Sequence, residues 1–222
     1  MAAGRGGAPL TPEAVIKVGG SLAGDPGLPR LLEELGELAA AGRRLVVVPG
    51  GGPFADAVRA ACAAHDPGPS AAHWMAILAM DQYAHLLAAR TPGAALVVGP
   101  AEVAGALAAG RPAVLAPYTW LRAADPLPHG WDVTSDSIAA WIAARLGAPR
   151  LVLLKSVDGL RDEAGSVLAR VPRRALGGKD EVDGYFARAL EPGTACWVIN
   201  GRRPERLREL LREGRTLGTE VC

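Results

Sequence analysis

The feature that most limits what this chain can fold into is a rhythm. Short apolar runs alternate with stretches of helical periodicity from residue 14 to the end. Ala14–Val18 reads as a strand running into the turn GGSLAGDPG. Residues 28–41 carry apolar side chains at helical spacing, with Glu33, Glu34 and Glu37 on the side expected to face water. Residues 45–48 read as a buried strand, followed by PGGGP and a helix over 54–64. A long helix follows over 70–90, with Ser70 as its cap. Short strands at 94–98 and 113–115 flank a helix over 101–108. The stretch PYTWLRAADPLPHGWD, rich in proline and aromatics, predicts no regular element. The second half repeats the rhythm: helix 134–146, strand 150–154, a hairpin over 157–171, helix 182–190, strand 196–199, and helix 204–212 opened by proline.

Such alternation predicts an α/β fold, a three-layer αβα sandwich with a mainly parallel open sheet covered on both faces. A chain of 222 residues and 22.9 kDa fits a single domain, at most weakly divided into lobes. In such sheets ligands bind beyond the carboxyl ends of the strands. The turn after each strand is therefore where function is to be sought.

Composition narrows the classes. A formal net charge of +1 with no one-sided segment gives nucleic acid no electrostatic claim. No apolar run reaches the roughly 18 residues of a membrane span, and the opening MAAGRGGAPLTPEA lacks a secretory apolar stretch. Cys62, Cys196 and Cys222 form neither a CxxC nor an even disulfide set, so the expectation is a reduced cytoplasm. Only three of the 24 basic residues are lysines: Lys17, Lys155 and Lys179. Where arginine is so strongly preferred, a retained lysine marks a place that needs a compact ammonium. Lys17 and Lys155 fall at ends of predicted strands.

Two strand ends carry glycine turns. VIKVGGS places Lys17 within an apolar strand before Gly19 and Gly20, and VVVPGGGPFAD sets Gly50, Gly51 and Gly52 directly before a helix. Glycines let backbone N–H groups approach an anion closely, and a helix N-terminus favours it. Neither turn has Walker A or GxGxxG spacing. In WDVTSDSIAAWIA, Thr134, Ser135 and Asp136 open an apolar helix. Thr134 or Ser135 serves as a cap on one reading. On the other, Asp136 is the acid that holds Lys17, and Asp132 shares its helical face if the helix begins early. LLKSVDGL brings Lys155 out of a strand before a tight Asp158–Gly159 turn.

KVGGS, PGGGPFAD, TSDSIAAWIA, LLKSVDGL, VINGRRPERL and GTEV together resemble the amino acid kinase superfamily across nearly the whole chain. The resemblance implies an ATP-dependent phosphotransferase with Mg²⁺ carried on ATP and no protein-held metal. It implies that Lys17 neutralises the transferring phosphoryl group, that Asp136 organises the site, and that Gly19, Gly20, Gly51 and Gly52 are backbone clamps. Ser156, Asp158, Gly159, Asn200 and Gly201 then belong to the nucleotide pocket. Residues 1–149 form the acceptor lobe and 150–222 the nucleotide lobe. Many members carry GGM…K before the penultimate helix; this chain has GGKDEVDGYF, so Lys155 or Lys179 takes that lysine's role.

HWMAILAMDQYAHLLA, HGWDVTSDSIAAWIA and DEVDGYF resemble most the (aminomethyl)furanmethanol phosphate kinases of methanofuran biosynthesis. That implies a phosphate monoester as the small-molecule acceptor, and a homo-oligomer. The expected acceptor pocket lies among Gly51, Gly52, Asp56, Asp81, Tyr83, His129 and Trp131. Trp74 and Trp141, at helical spacing among apolar residues, read as core. Uridylate or isopentenyl phosphate kinases remain alternatives. So does an oxoanion storage protein of the same fold, although storage favours His-rich pockets and only four His occur.

Overall fold

A computed structural model describes residues 10–222. The first nine residues, part of the opening read above for a secretory stretch, lie outside them. In chain order the elements are β1 (Ala14–Val18), α1 (Leu28–Ala40), β2 (Leu45–Pro49), α2 (Gly52–His65), α3 (Pro69–Arg90), β3 (Ala95–Val97), α4 (Pro100–Ala108) and β4 (Ala113–Leu115). There follow α5 (Tyr118–Ala124), α6 (Ser135–Arg145), β5 (Arg150–Lys155), β6 (Arg170–Val171), α7 (Phe186–Ala189), β7 (Ala195–Asn200), α8 (Pro204–Glu213) and β8 (Thr219–Val221). The strands form one eight-stranded sheet in the order β3-β4-β2-β1-β5-β7-β8-β6. Every pair is parallel except β7 with β8.

Both faces of the sheet are covered, which is why β1, β2 and β5 read as unbroken apolar runs rather than alternating ones. Val15, Val46, Leu151 and Leu153 pack on one side with Ile138 and Ile142 of α6 and Phe186 of α7. Ile16, Val47, Val152 and Leu154 pack on the other with Leu31 and Leu35 of α1 and Leu207, Leu210 and Leu211 of α8. Each fully buried leucine of these helices contributes roughly 1.5–3 kcal/mol of transfer free energy. Trp74 and Trp141 pack, partly buried, against the first of these clusters. No helix among the described residues is long and apolar enough to cross a membrane.

Several local expectations are corrected. Gly68, not Ser70, occupies the cap position of α3, because Pro69 supplies a fixed φ at the first turn. The proline-rich stretch does form a helix, α5. Pro117 sits at its N-cap and Asp125 ends it at φ 40°, so the prolines flank the helix rather than break it. Glu34 is buried, not on the wet side, with both oxygens held by Arg208 of α8 at 2.7 and 2.6 Å. The hairpin over 157–171 keeps a single antiparallel bridge, Arg161 to Val167; Arg170–Val171 pairs with β8 instead. The helix expected over 182–190 shrinks to α7, since its first residues brace α6.

Candidate active site

β1 is where the chain's direction of travel across the sheet reverses: β2, β4 and β3 lie on one side of it, and β5 and β7 on the other. Side chains alternate along a strand, and the register pairs Lys17 with Leu153. Lys155, two residues beyond Leu153, therefore emerges on the same face as Lys17. That face is covered by α6, whose first turn carries Asp136. Lys17 Nζ stands 2.8 Å from Asp136 Oδ1, and Lys155 Nζ 2.5 Å from Oδ2.

The cluster is buried: Lys17 is 4% exposed and Asp136 3%. Burial alone would push the Asp136 carboxyl up, but the charges of Lys17 and Lys155 outweigh it and hold it below the usual range. Burial, reinforced by the neighbouring Lys17 charge, pulls Lys155 down to about 8, against the attraction of Asp136. Two cations on one anion leave a net positive charge at the strand ends. An arriving phosphoryl group would complete its neutralisation.

The turn that carries Asp136 is held from a distance. Thr134 occupies the cap position of α6, but neither it nor Ser135 makes a side-chain cap bond. Asp183 does the capping. Its Oδ2 accepts from Thr134 N at 3.0 Å, Thr134 Oγ1 at 2.8 Å and Ser137 N at 3.0 Å, and its Oδ1 accepts from Ser137 Oγ. Sequence reasoning missed Asp183. Its only signal was an acid beside Gly184, in a stretch that cannot sustain a helix. Asp132 lies outside α6, where its carbonyl accepts from Tyr185 N at 3.0 Å, so it shares no helical face with Asp136.

The two glycine turns interlock. A Cβ on Gly50 would meet Gly20 N at 2.5 Å, and one on Gly20 would meet Gly52 N at 2.5 Å; Gly52 also has φ 54°. Backbone against backbone at this range admits glycine alone. The Gly19 amide donates to Leu154 O at 2.9 Å and the Gly50 amide to Val18 O at 2.7 Å. Gly19 therefore stitches β1 to β5 rather than offering its N–H to a ligand. The amides of Gly20, Ser21, Gly51 and Gly52 have no partner among the described residues. They line, with Lys17 and Lys155, a cavity of about 430 Å³.

Other expected residues divide. Asp56 and Trp131 line the cavity, and so does Arg59, which bonds Asp56 at 2.6 Å and lies 5.6 Å from the Trp131 ring. Asp81, Tyr83 and His129 are not among its lining residues. The Asp81 carboxylate accepts from Tyr118 N at 3.0 Å and fixes α5; burial pushes its pKa up, against that bond. Tyr83 is fully buried, and His129 sits between Ser70 and Asp125 at 2.9 and 2.8 Å.

Beyond β5 and β7, Asn200 Nδ2 donates to Asp158 Oδ1 at 2.9 Å and Arg206 Nη1 reaches the same oxygen at 2.6 Å. These two partners hold the Asp158 carboxyl below the usual range. Arg202 Nη1 donates to Ser156 O at 3.2 Å, and Gly201 N to Lys155 O at 2.8 Å. Gly159 is packed under Thr219 and Val167. Arg202 and Arg206 were not foreseen; their signal was the run GRRPER after the strand. Lys179 donates to Arg161 O at 2.5 Å, and among the lysines only Lys17 and Lys155 contact Asp136.

The chain is 28% identical over 218 residues to the [5-(aminomethyl)furan-3-yl]methyl phosphate kinase of Methanocaldococcus jannaschii, covering 93% of this chain and 96% of that protein. Its fold matches the uridylate kinase of Archaeoglobus fulgidus at TM-score 0.74 and 22% identity, over 95% of this chain and 100% of that one. It also matches the UMP kinase of Ureaplasma parvum at TM-score 0.75 and 16% identity, over 95% and 99%. The sequence pattern of the Amino acid kinase family spans residues 13–173. That range holds both glycine turns and the Lys17–Asp136–Lys155 cluster, and the chain belongs to the amino acid kinase family.

Proposed function

We propose that this chain is an ATP-dependent kinase whose acceptor is itself a phosphate monoester, [5-(aminomethyl)furan-3-yl]methyl phosphate, converted to its diphosphate in methanofuran biosynthesis. The observation that carries the chemistry is Asp136 holding two ammonium groups beside interlocked glycine turns with unpartnered amides. The likeness to the Methanocaldococcus jannaschii kinase supports the choice of acceptor.

ATP would lie with its phosphates at the turn after β1 and its nucleoside over residues 150–222, against Ser156, Asp158, Asn200 and Gly201. The acceptor would occupy the cavity, whose lining residues other than Lys155 all lie within 1–149. An oxygen of the acceptor phosphate attacks the γ-phosphorus, the bond to the β-phosphate oxygen breaks, and ADP departs. The transition state is loose, so the protein's work is positioning and charge neutralisation. Lys17 and Lys155 face the equatorial oxygens, and the Gly20, Gly51 and Gly52 amides bind the flanking phosphates. A phosphate oxygen is already anionic at neutral pH, so the step needs no general base. Asp136 pairs with both lysines and so holds their ammonium groups toward the phosphates. Mg²⁺ carried on the nucleotide oxygens would supply further charge neutralisation.

The free thiols of Cys62, Cys196 and Cys222 support a cytoplasmic setting. Leu78 and Leu86, each 42% exposed on one face of α3, support a homo-oligomer. The test is ADP release with the furan phosphate, uridylate and isopentenyl phosphate at equal concentration. Either competitor being used at least ten times more efficiently sinks the acceptor assignment.

A further inference from the structure

The end of the cavity away from the lysines holds a side chain to which nothing above gives a role. The α3 wall of the cavity comprises Pro69, Ala72, His73, Ala76, Ile77 and Met80, a stripe at helical spacing. The Tyr83 ring packs beside Gly52, at the glycine turns. His73 lies ten residues earlier, which at the helical rise sets it on the order of 15 Å outward along the wall. That length accommodates a transferring phosphoryl group, an acceptor phosphate and one small ring in a row. Between the two ends the α3 wall offers only Ala76, Ile77 and Met80.

His73 is 7% exposed, and neither ring nitrogen has a hydrogen-bond partner among the described residues. Its ring is held instead by stacking. His129 lies parallel at 4.4 Å and 18°, and Trp74 meets it edge-on at 5.0 Å. His129 in turn is fixed by Ser70 and Asp125. Burial, and the neighbouring His129, pull His73 down to about 4 against the pull of Asp125, so it is neutral at working pH. A neutral imidazole carries one donor and one acceptor. The ring is not among the fully buried polar groups left without a partner, so it stays open to a hydrogen bond from within the cavity. Of the charged groups lining the cavity besides the two lysines, Asp56 and Arg59 bond each other.

We propose that His73 reads the distal end of the acceptor, its neutral imidazole accepting a hydrogen bond from a donor group, the acceptor's ammonium, carried on the far side of a flat ring. This rests on the phosphate-monoester reading above and adds the residue that selects among such acceptors. Sites built to pair a substrate's N–H reject analogues that lack it far more strongly than apolar pockets reject a missing methylene.

The experiment compares [5-(aminomethyl)furan-3-yl]methyl phosphate with the analogue bearing methyl in place of aminomethyl, using wild type, His73→Phe and His73→Gln. Phe keeps the planar stack and removes the nitrogens; Gln keeps an acceptor. The wild type should prefer the amine-bearing acceptor in kcat/KM at least tenfold, Phe should reduce that preference to less than threefold, and Gln should retain part of it. Far-UV circular dichroism and thermal melting check that each variant folds. If Phe does not fold, loss of the preference in Gln equal to that expected of Phe overturns the proposal. A wild type that uses the furan phosphate, with Phe lowering kcat/KM equally for both acceptors, overturns the role of His73 alone. Failure of the wild type to use the furan phosphate at all overturns the acceptor reading, and the His73 assignment with it.

Discussion

Replacing Asp136 by Asn removes one charge and leaves two ammonium groups facing each other in a space where Lys17 is 4% exposed. Breaking a buried pair by deleting one partner typically costs about 3–5 kcal/mol. Here the cost has an escape. Lys155 is already pulled down to about 8, and without Asp136 it sheds its proton at neutral pH. The loss of stability should therefore settle near the lower end, about 3 kcal/mol. The catalytic loss should not be rescued, since a deprotonated Lys155 neutralises nothing; turnover should fall at least a hundredfold, about 3 kcal/mol of barrier. The double variant Asp136→Asn with Lys155→Met separates causes. It removes the second ammonium together with the carboxylate, so its loss of stability should be smaller than the sum of the two single losses. Urea unfolding of wild type, both single variants and the double variant gives the coupling energy directly. A double variant whose loss equals the sum of the single losses would falsify the claim that mutual charge compensation holds the cluster together.

Two further outcomes follow from the same geometry. Between about pH 8 and 10.5 the unfolded chain keeps a proton that folded Lys155 has released, so this group makes stability rise with pH while turnover falls with a midpoint near 8. Melting and kcat measured over that range, with Lys155→Met as the reference, check it, and parallel rather than opposed trends would contradict it. Gly50→Ala sets a Cβ 2.5 Å from Gly20 N and should cost about 1–3 kcal/mol while weakening phosphate binding. Gly105→Ala, with nothing within 4 Å inside α4, should instead stabilise by about 0.4–1 kcal/mol; chemical denaturation of both reports the contrast.

What was legible in the sequence was whatever local pattern controls. β1 begins and ends as read, and β2, β5 and α8 differ from their expected bounds by a residue, because unbroken apolar runs and a proline-opened amphipathic stretch are decided within themselves. Lys17 and Lys155 stood out for the same reason: each is a charge where the pattern demands an apolar residue. What was not legible depended on partners far along the chain. The cap of α6 comes from Asp183, and Glu34 is buried because Arg208 reaches it. The resemblance put Tyr83 and Asp81 in the acceptor pocket, yet one fills the core and the other holds the backbone of α5. Nothing in a single sequence distinguishes a carboxylate that greets a ligand from one that greets an amide.

The second lysine owes its position to the sheet. The proposed mechanism asks for two ammonium groups beside one buried carboxylate, which Lys17, Lys155 and Asp136 provide. A lysine carried by a segment after β6 must be held in place by whatever orders that segment. Lys155 is held by strand register instead: β5 pairs with β1 over Leu151–Leu154 and with β7 over its whole length. Its distance from Lys17 is therefore set by two parallel ladders at the centre of the sheet. On the loop before α7, Asp183 clamps the turn that presents Asp136. Placing the cation on the sheet and the clamp on the loop puts the group that must not move on the element least able to do so.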